Sequence, residues 1–203
     1  MAGCMLFCVS EEAKSATRQA LNIKHEKYDV GHFFLVESRG GPTRSERFRM
    51  ALEENDSFDT DFIGATPEDC QAWALERQRH DNKVDQDLIA IVDARSAKDG
   101  TLLVQKYYTL PEDCDALTFG GYGALPPERN VWYDFRVDHR YAGKVIAALT
   151  EVSPEVAYPI YYGNKDRFTN SDGVFDVQEA DRFCRAEDAD VKRSDIYRRK
   201  FET

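Results

Sequence analysis

Asp93 stands directly after the apolar run 88–92, and Arg95 follows it two residues later. A carboxylate just past the carboxyl end of a buried central strand faces the ligand crevice of an open α/β sheet. Asp93 is therefore a candidate catalytic group and Arg95 a candidate ligand-binding partner, set against the plainer reading of a loop salt bridge. His139 closes a segment, 131–139, in which polar and apolar residues alternate, and it lies between Asp138 and Arg140. An imidazole oriented by a carboxylate is a general base in type, so His139 is the second candidate catalytic residue, against the reading of a surface histidine at an element boundary. Arg136, on the other face of the same segment, and Tyr122, inside the Gly-rich stretch 118–127, complete the candidate ligand-binding set.

The stretch 168–179, Phe-Thr-Asn-Ser-Asp-Gly-Val-Phe-Asp-Val-Gln-Glu, approaches a calcium loop. Such loops need oxygen ligands at alternate positions, a glycine at the sixth and a glutamate at the twelfth. Asn170, Asp172, Gly173, Asp176 and Glu179 meet that register, but Phe168 fills the first position, where a carboxylate should begin the coordination. The segment is therefore expected to be a turn at 170–173 leading into an acidic helix, with no metal. Residues 37–47, with Gly40-Gly41 and three arginines, resemble an anion-presenting loop but lack both the P-loop ending and the dinucleotide fingerprint. The capping box of Thr43 and Glu46 already explains the stretch, so a solvated turn followed by a capped helix is the preferred reading, with a small anionic ligand as the alternative. His25, His32, His80 and His139 form no helical metal pair, and Cys4, Cys8, Cys70, Cys114 and Cys184 are odd in number and scattered. Reduced thiols and no cofactor are expected, and there is no Gly-x-Ser-x-Gly elbow or His-Glu-x-x-His pair.

These residues need elements to position them. Residues 5–9 read as a strand, 11–21 as a helix with Glu11 and Glu12 at its positive end, and 32–36 as a buried strand. The capping signal at Thr43 predicts a helix through Phe48, Met50, Ala51 and Leu52, and 58–63 reads as a further strand. Thr66, Pro67 and Asp69 open a helix carrying Trp73, Ala74 and Leu75. Residues 80–87 read as a surface loop, 88–92 as a central strand and 101–108 as its hairpin partner across turn residues 93–100. Along 131–137, Val131, Tyr133, Phe135 and Val137 share one face while Trp132, Asp134 and Arg136 share the other. Residues 142–152 have helical spacing, and 158–162 read as an aromatic strand or extended linker. The alternation of strands and helices predicts a single α/β (or α+β) domain over 1–203, its mixed central sheet flanked by helices.

Composition narrows the function classes. In 203 residues, 27 Lys and Arg face 37 Asp and Glu, for a net charge of −10, which opposes binding to nucleic acid or anionic membrane surfaces. No apolar run approaches the roughly 20 residues of a membrane helix, and the first ten residues lack a basic leader, so a cytoplasmic protein is expected. Residues 192–202 carry a local charge of +3, leaving −13 on the rest. With Ile196, Tyr197 and Phe201, the segment 190–203 reads as a basic helical extension suited to docking on its own acidic surface, a partner or a second copy.

The stretch 88–104, the triplet Phe135-Arg136-Val137 and the turn Asp172-Gly173-Val174-Phe175 resemble a small family of uncharacterised domains in fungal and bacterial hypothetical proteins. The similarity spans residues 84–177. It implies an α/β domain with a structural turn at 172–175 and carries no activity with it. Two functions therefore compete: a small-molecule binder or cofactor-free acid–base enzyme at Asp93, Arg95 and His139, and a non-catalytic interaction or regulatory module using the C-terminal segment, including as a homo-oligomer.

Overall fold

The computed structural model describes residues 3–24, 31–41, 48–77, 84–109, 130–150 and 161–183. Among the described residues, five strands form one mixed sheet: β1 (Gly3–Cys8), β2 (Phe33–Leu35), β3 (Val84–Val92), β4 (Thr101–Tyr108) and β5 (Val131–Asp138), in the order β2-β1-β3-β4-β5. β1 is parallel to both β2 and β3, whereas β3, β4 and β5 are antiparallel neighbours. The predicted α/β domain with a mixed sheet is the observed one. Among the described residues, no helix is long and apolar enough to cross a membrane.

Period-two alternation divides the sheet into two faces. On one, Cys4, Leu6, Leu88, Ala90, Val92, Val104, Phe135 and Val137 are buried. Helices α1 (Lys14–Leu21) and α4 (Ala142–Thr150) cover them, with α5 (Lys165–Phe168) and the helix at 177–183, here α6. On the other, Met5, Phe7, Ile89 and Ile91 meet α2 (Pro67–Arg77) through Cys70, Trp73 and Ala74. Phe62 and Trp73 pack edge-on to Phe7 and to each other. The chain leaves β1 for β2 on one side and returns past β1 to β3 on the other. Crossovers of one hand running in opposite directions place α1 and α2 on opposite faces, so β1 and β3 flank a topological switch point.

Local sequence explains the best-read elements. α2 starts at a reciprocal cap: the Asp69 N–H donates to Thr66 Oγ1 (3.2 Å) and the Thr66 N–H to Asp69 Oδ2 (2.9 Å), with Pro67 at the first helical position. In β5 the alternation buries Phe135 and Val137 completely and leaves Trp132 and Arg136 partly exposed. Phe135 is ringed by Tyr162, Phe175 and Tyr161.

Four local expectations are corrected. Residues 48–52 are extended, not helical: the Leu35 N–H donates to the Arg49 carbonyl (2.9 Å), and the Asn22 amide bonds both the N–H and the carbonyl of Leu52. Sheet-edge pairing and a side chain acting as a surrogate strand win over helix propensity there. Residues 58–63 are not a strand: the chain is irregular through Thr60 and turns from Asp61, burying Phe58 in the core on the α1 side and Phe62 in the core on the α2 side, with Thr60 Oγ1 donating to the Val36 carbonyl. Residues 84–87 belong to β3 and not to a loop, and Tyr161 is helical. The predicted cap at Thr43 to Glu46, His25, His80, Cys114, Cys184, the Gly-rich loop with Tyr122 and the C-terminal segment 190–203 lie outside the described residues.

Candidate binding site at the carboxyl edge of the sheet

Asp93 continues the parity of Ile89 and Ile91 and therefore emerges on the α2 face of the sheet. Arg136 occupies the same face, directly opposite Leu103 of β4. The two meet across β4 in a fork: Arg136 Nη1 donates to Asp93 Oδ1 (3.0 Å) and Nη2 to Oδ2 (2.5 Å). Ser96 holds the carboxylate from the other side, its N–H donating to Oδ1 at 2.9 Å and its hydroxyl at 3.0 Å. The Asp93 N–H in turn donates to Ser96 Oγ (3.0 Å), so this carboxylate both closes the turn into α3 (Ser96–Asp99) and fixes the guanidinium. The Arg136 side chain is 12% exposed and that of Asp93 27%. Burial raises the Asp93 pKa, but the hydrogen bonds from Arg136 and Ser96 and the Arg136 charge outweigh it and hold the carboxyl at about 2. A carboxylate so stabilised is a poor proton acceptor near neutrality, so Asp93 is a positioning group for Arg136.

Arg95 and His139 do not join this pair. Arg95 Nε donates to Asp99 Oδ2 (2.8 Å) and its Nη2 to the Asp172 carbonyl (2.6 Å), which ties the 170–173 turn to α3. His139 lies in the 3-10 turn His139–Tyr141 beyond β5, and extended backbone at Asp138 carries it to the face of Phe135 and Val137. Both its N–H (3.0 Å) and Nδ1 reach the Gly100 carbonyl. A carbonyl only accepts, so Nδ1 carries the proton and Nε2 is the acceptor of the neutral ring. Gly100 is required there: its φ is +68°, and a Cβ would come within 3.2 Å of His139 Nδ1. The expected Asp93–His139 convergence is thus replaced by an Asp93–Arg136 pair that pattern reading missed. The only signal was the shared parity of residues 89, 91 and 93 with 132, 134 and 136, which becomes decisive once the strand order is known.

Beside the fork the described residues cover the α2 face only in part. α2 reaches β4 through Gln71 Nε2, which donates to Gln105 Oε1 (3.1 Å). Leu103, Tyr107 and Trp132 stay half-buried, and the Tyr107 and Trp132 rings lie 5.2 Å apart. Gln105 and Asp134, the latter paired with Lys165 (3.0 Å), lie between Leu103 and this aromatic pair. A mixed aromatic and polar floor with one fixed guanidinium at its end has the composition of a small-molecule site.

In the near-calcium loop, oxygens of Asn170, Asp176 and Glu179 serve the turn and the helix after it. Asn170 Oδ1 accepts from the N–H groups of Asp172 (3.0 Å) and Val174 (2.9 Å), Asp176 Oδ1 caps α6 at the Glu179 N–H (2.9 Å), and Glu179 pairs with Arg182. The Phe175 N–H donates to the Arg136 carbonyl (2.7 Å), so the turn braces the strand that carries the fork. Among the described residues, no group of three or more His, Cys, Asp or Glu could hold a metal ion. Cys4, Cys8 and Cys70 are buried thiols, and burial pushes that of Cys70 up to about 12. Compared with protein-family models, with curated proteins and with solved structures, the chain matches none.

Proposed function

We propose that the protein binds a small molecule on the α2 face of its sheet, over Leu103, Tyr107 and Trp132, with its polar end at the carboxyl edge. The observation that carries this reading is the Asp93–Arg136 fork, immobilised by Ser96 beside a half-buried aromatic floor. Fixing a guanidinium before the ligand arrives removes part of the ordering cost of binding. The expected absence of a cofactor stays part of the proposal. An acid–base step is its less direct extension, because Asp93 is held ionised and His139 belongs to the other face.

A screen of small metabolites by thermal shift tests this reading. A true ligand at 100 times its Kd adds about 2.7 kcal/mol to the unfolding free energy. The compounds that raise Tm should also move the backbone amides of Leu103, Tyr107 and Trp132 and alter Trp132 fluorescence. Binding that leaves those three residues undisturbed overturns the assignment.

A second reading, a cytoplasmic interaction module that self-associates through residues 190–203, is supported by the +3 charge of 192–202 against −13 on the rest. Deleting 190–203 should then shift a dimer to monomer in sedimentation. A wild-type protein already monomeric at high concentration removes the self-association form of this reading.

A further inference from the structure

We propose that the ligand of this face is an oxyanion, a carboxylate or phosphate, held by the Nε edge of Arg136; the inference rests on the small-molecule reading above. A guanidinium presents two fork edges, one across Nη1 and Nη2 and one across Nε and an Nη. Asp93 takes the first, bonding Nη1 with one oxygen and Nη2 with the other. The remaining Arg136 bond among the described residues, a long one to Ser96 Oγ (3.5 Å), also leaves from Nη1. Among the described residues the Nε edge therefore keeps its two parallel donors, the geometry that matches two coplanar oxygens of a carboxylate or phosphate.

Neighbouring cations do not compete for this role. Arg95 is committed to Asp99 and to the Asp172 carbonyl, and Arg140 makes three side-chain bonds to Asp138. Nor can Arg136 readily swing away, because Asp93 grips it and Ser96 grips Asp93. The pair itself is neutral, so attraction comes from donor geometry in a mostly buried setting and not from net charge. Selectivity for a planar or tetrahedral oxyanion over a spherical anion follows. The half-buried Tyr107 and Trp132 rings would face the apolar body of the same ligand.

The test is a titration of the wild-type protein, read at the Arg136 Nε–H resonance in side-chain nitrogen–proton spectra. Probes are inorganic phosphate and succinate, with succinamide as the neutral isostere and sodium chloride as the ionic-strength control. Saturable movement of the Arg136 Nε–H with either oxyanion by about 10 mM, and none with chloride or succinamide, is the expected result. Movement with phosphate alone or succinate alone identifies the headgroup. Arg136→Lys, which keeps the charge and loses the fork, should weaken binding at least 10-fold as read at the Trp132 amide. Movement that matches chloride, or none, overturns the oxyanion inference. In that case neutral compounds that still shift the amides of Leu103, Tyr107 and Trp132 leave the broader reading standing, whereas a silent face for every compound removes both.

Discussion

Arg136→Met is expected to destabilise the protein by about 3 kcal/mol at neutral pH, because it strips a partly buried carboxylate of its counter-charge. Asp93 would keep its two bonds from Ser96 but lose both from Arg136 while remaining 27% exposed. In the wild type its pKa is depressed to about 2, so the ionised form favours folding. That contribution is complete above the unfolded value near 3.9, worth roughly 2 kcal/mol, and is lost as pH falls through about 2. In the variant the Arg136 hydrogen bonds and charge are gone while those from Ser96 stay, so the Asp93 pKa rises toward its ordinary value. Urea denaturation should therefore show a gap between wild type and Arg136→Met that is constant from about pH 7 to 5 and narrows between about pH 4 and 2. A gap of unchanged size across that lower window would mean that Arg136 stabilises the fold by packing and not through Asp93. Asp93→Asn complements it: it removes the titrating group, so it should lower neutral-pH stability, and its gap to wild type should close as pH falls toward about 2.

Gly143→Ala is expected to destabilise by about 1–3 kcal/mol, on the order of 5 °C in Tm, although alanine is the better helix former. In the helix α4 the exchange should by itself favour folding by roughly 1 kcal/mol. The obstacle is His32, 8% exposed, whose ring lies where the new methyl would go: a Cβ at Gly143 would stand 2.5 Å from Nε2 and 2.7 Å from Cε1. His32 immediately precedes β2, and its ring packs edge-on to Phe33, so moving it disturbs the sheet edge. A double-mutant cycle separates the two effects. In a His32→Ala background, Gly143→Ala should become neutral or stabilising by up to about 1 kcal/mol. A cost that survives removal of the imidazole would place the conflict in the helix and not at His32.

Elements with a complete local signal were readable from the chain. The cap at Thr66 and Asp69 with Pro67 announces α2, the continuous run at 88–92 announces a strand buried on both faces, and strict alternation at 131–137 announces β5 and its buried face. The turn at 170–173 and the helix after it were also legible, because Asn170 and Asp176 bond within four residues of themselves. Residues 48–52 and 58–63 misled because their apolar content reports burial and not the conformation that achieves it. Leu52 is buried through Asn22, thirty residues earlier, and Phe62 through Phe7 and Trp73.

The candidate site divides along the same line. Sequence alone determined that Asp93 ends a buried strand, that Arg136 and Phe135 point to opposite sides, and that −10 in net charge disfavours polyanions. It did not determine which charge meets which, because the partners are separated by 43 residues and by an intervening strand. Only the order β3-β4-β5 and its register bring Asp93 to Arg136, send His139 to the other face and turn Arg95 toward Asp172. Local bonding preferences act over a few residues and are written in the sequence nearby. The pairing of buried charges is chosen by whichever packing of the whole sheet lets each desolvated group find a partner, and that choice exists only in three dimensions.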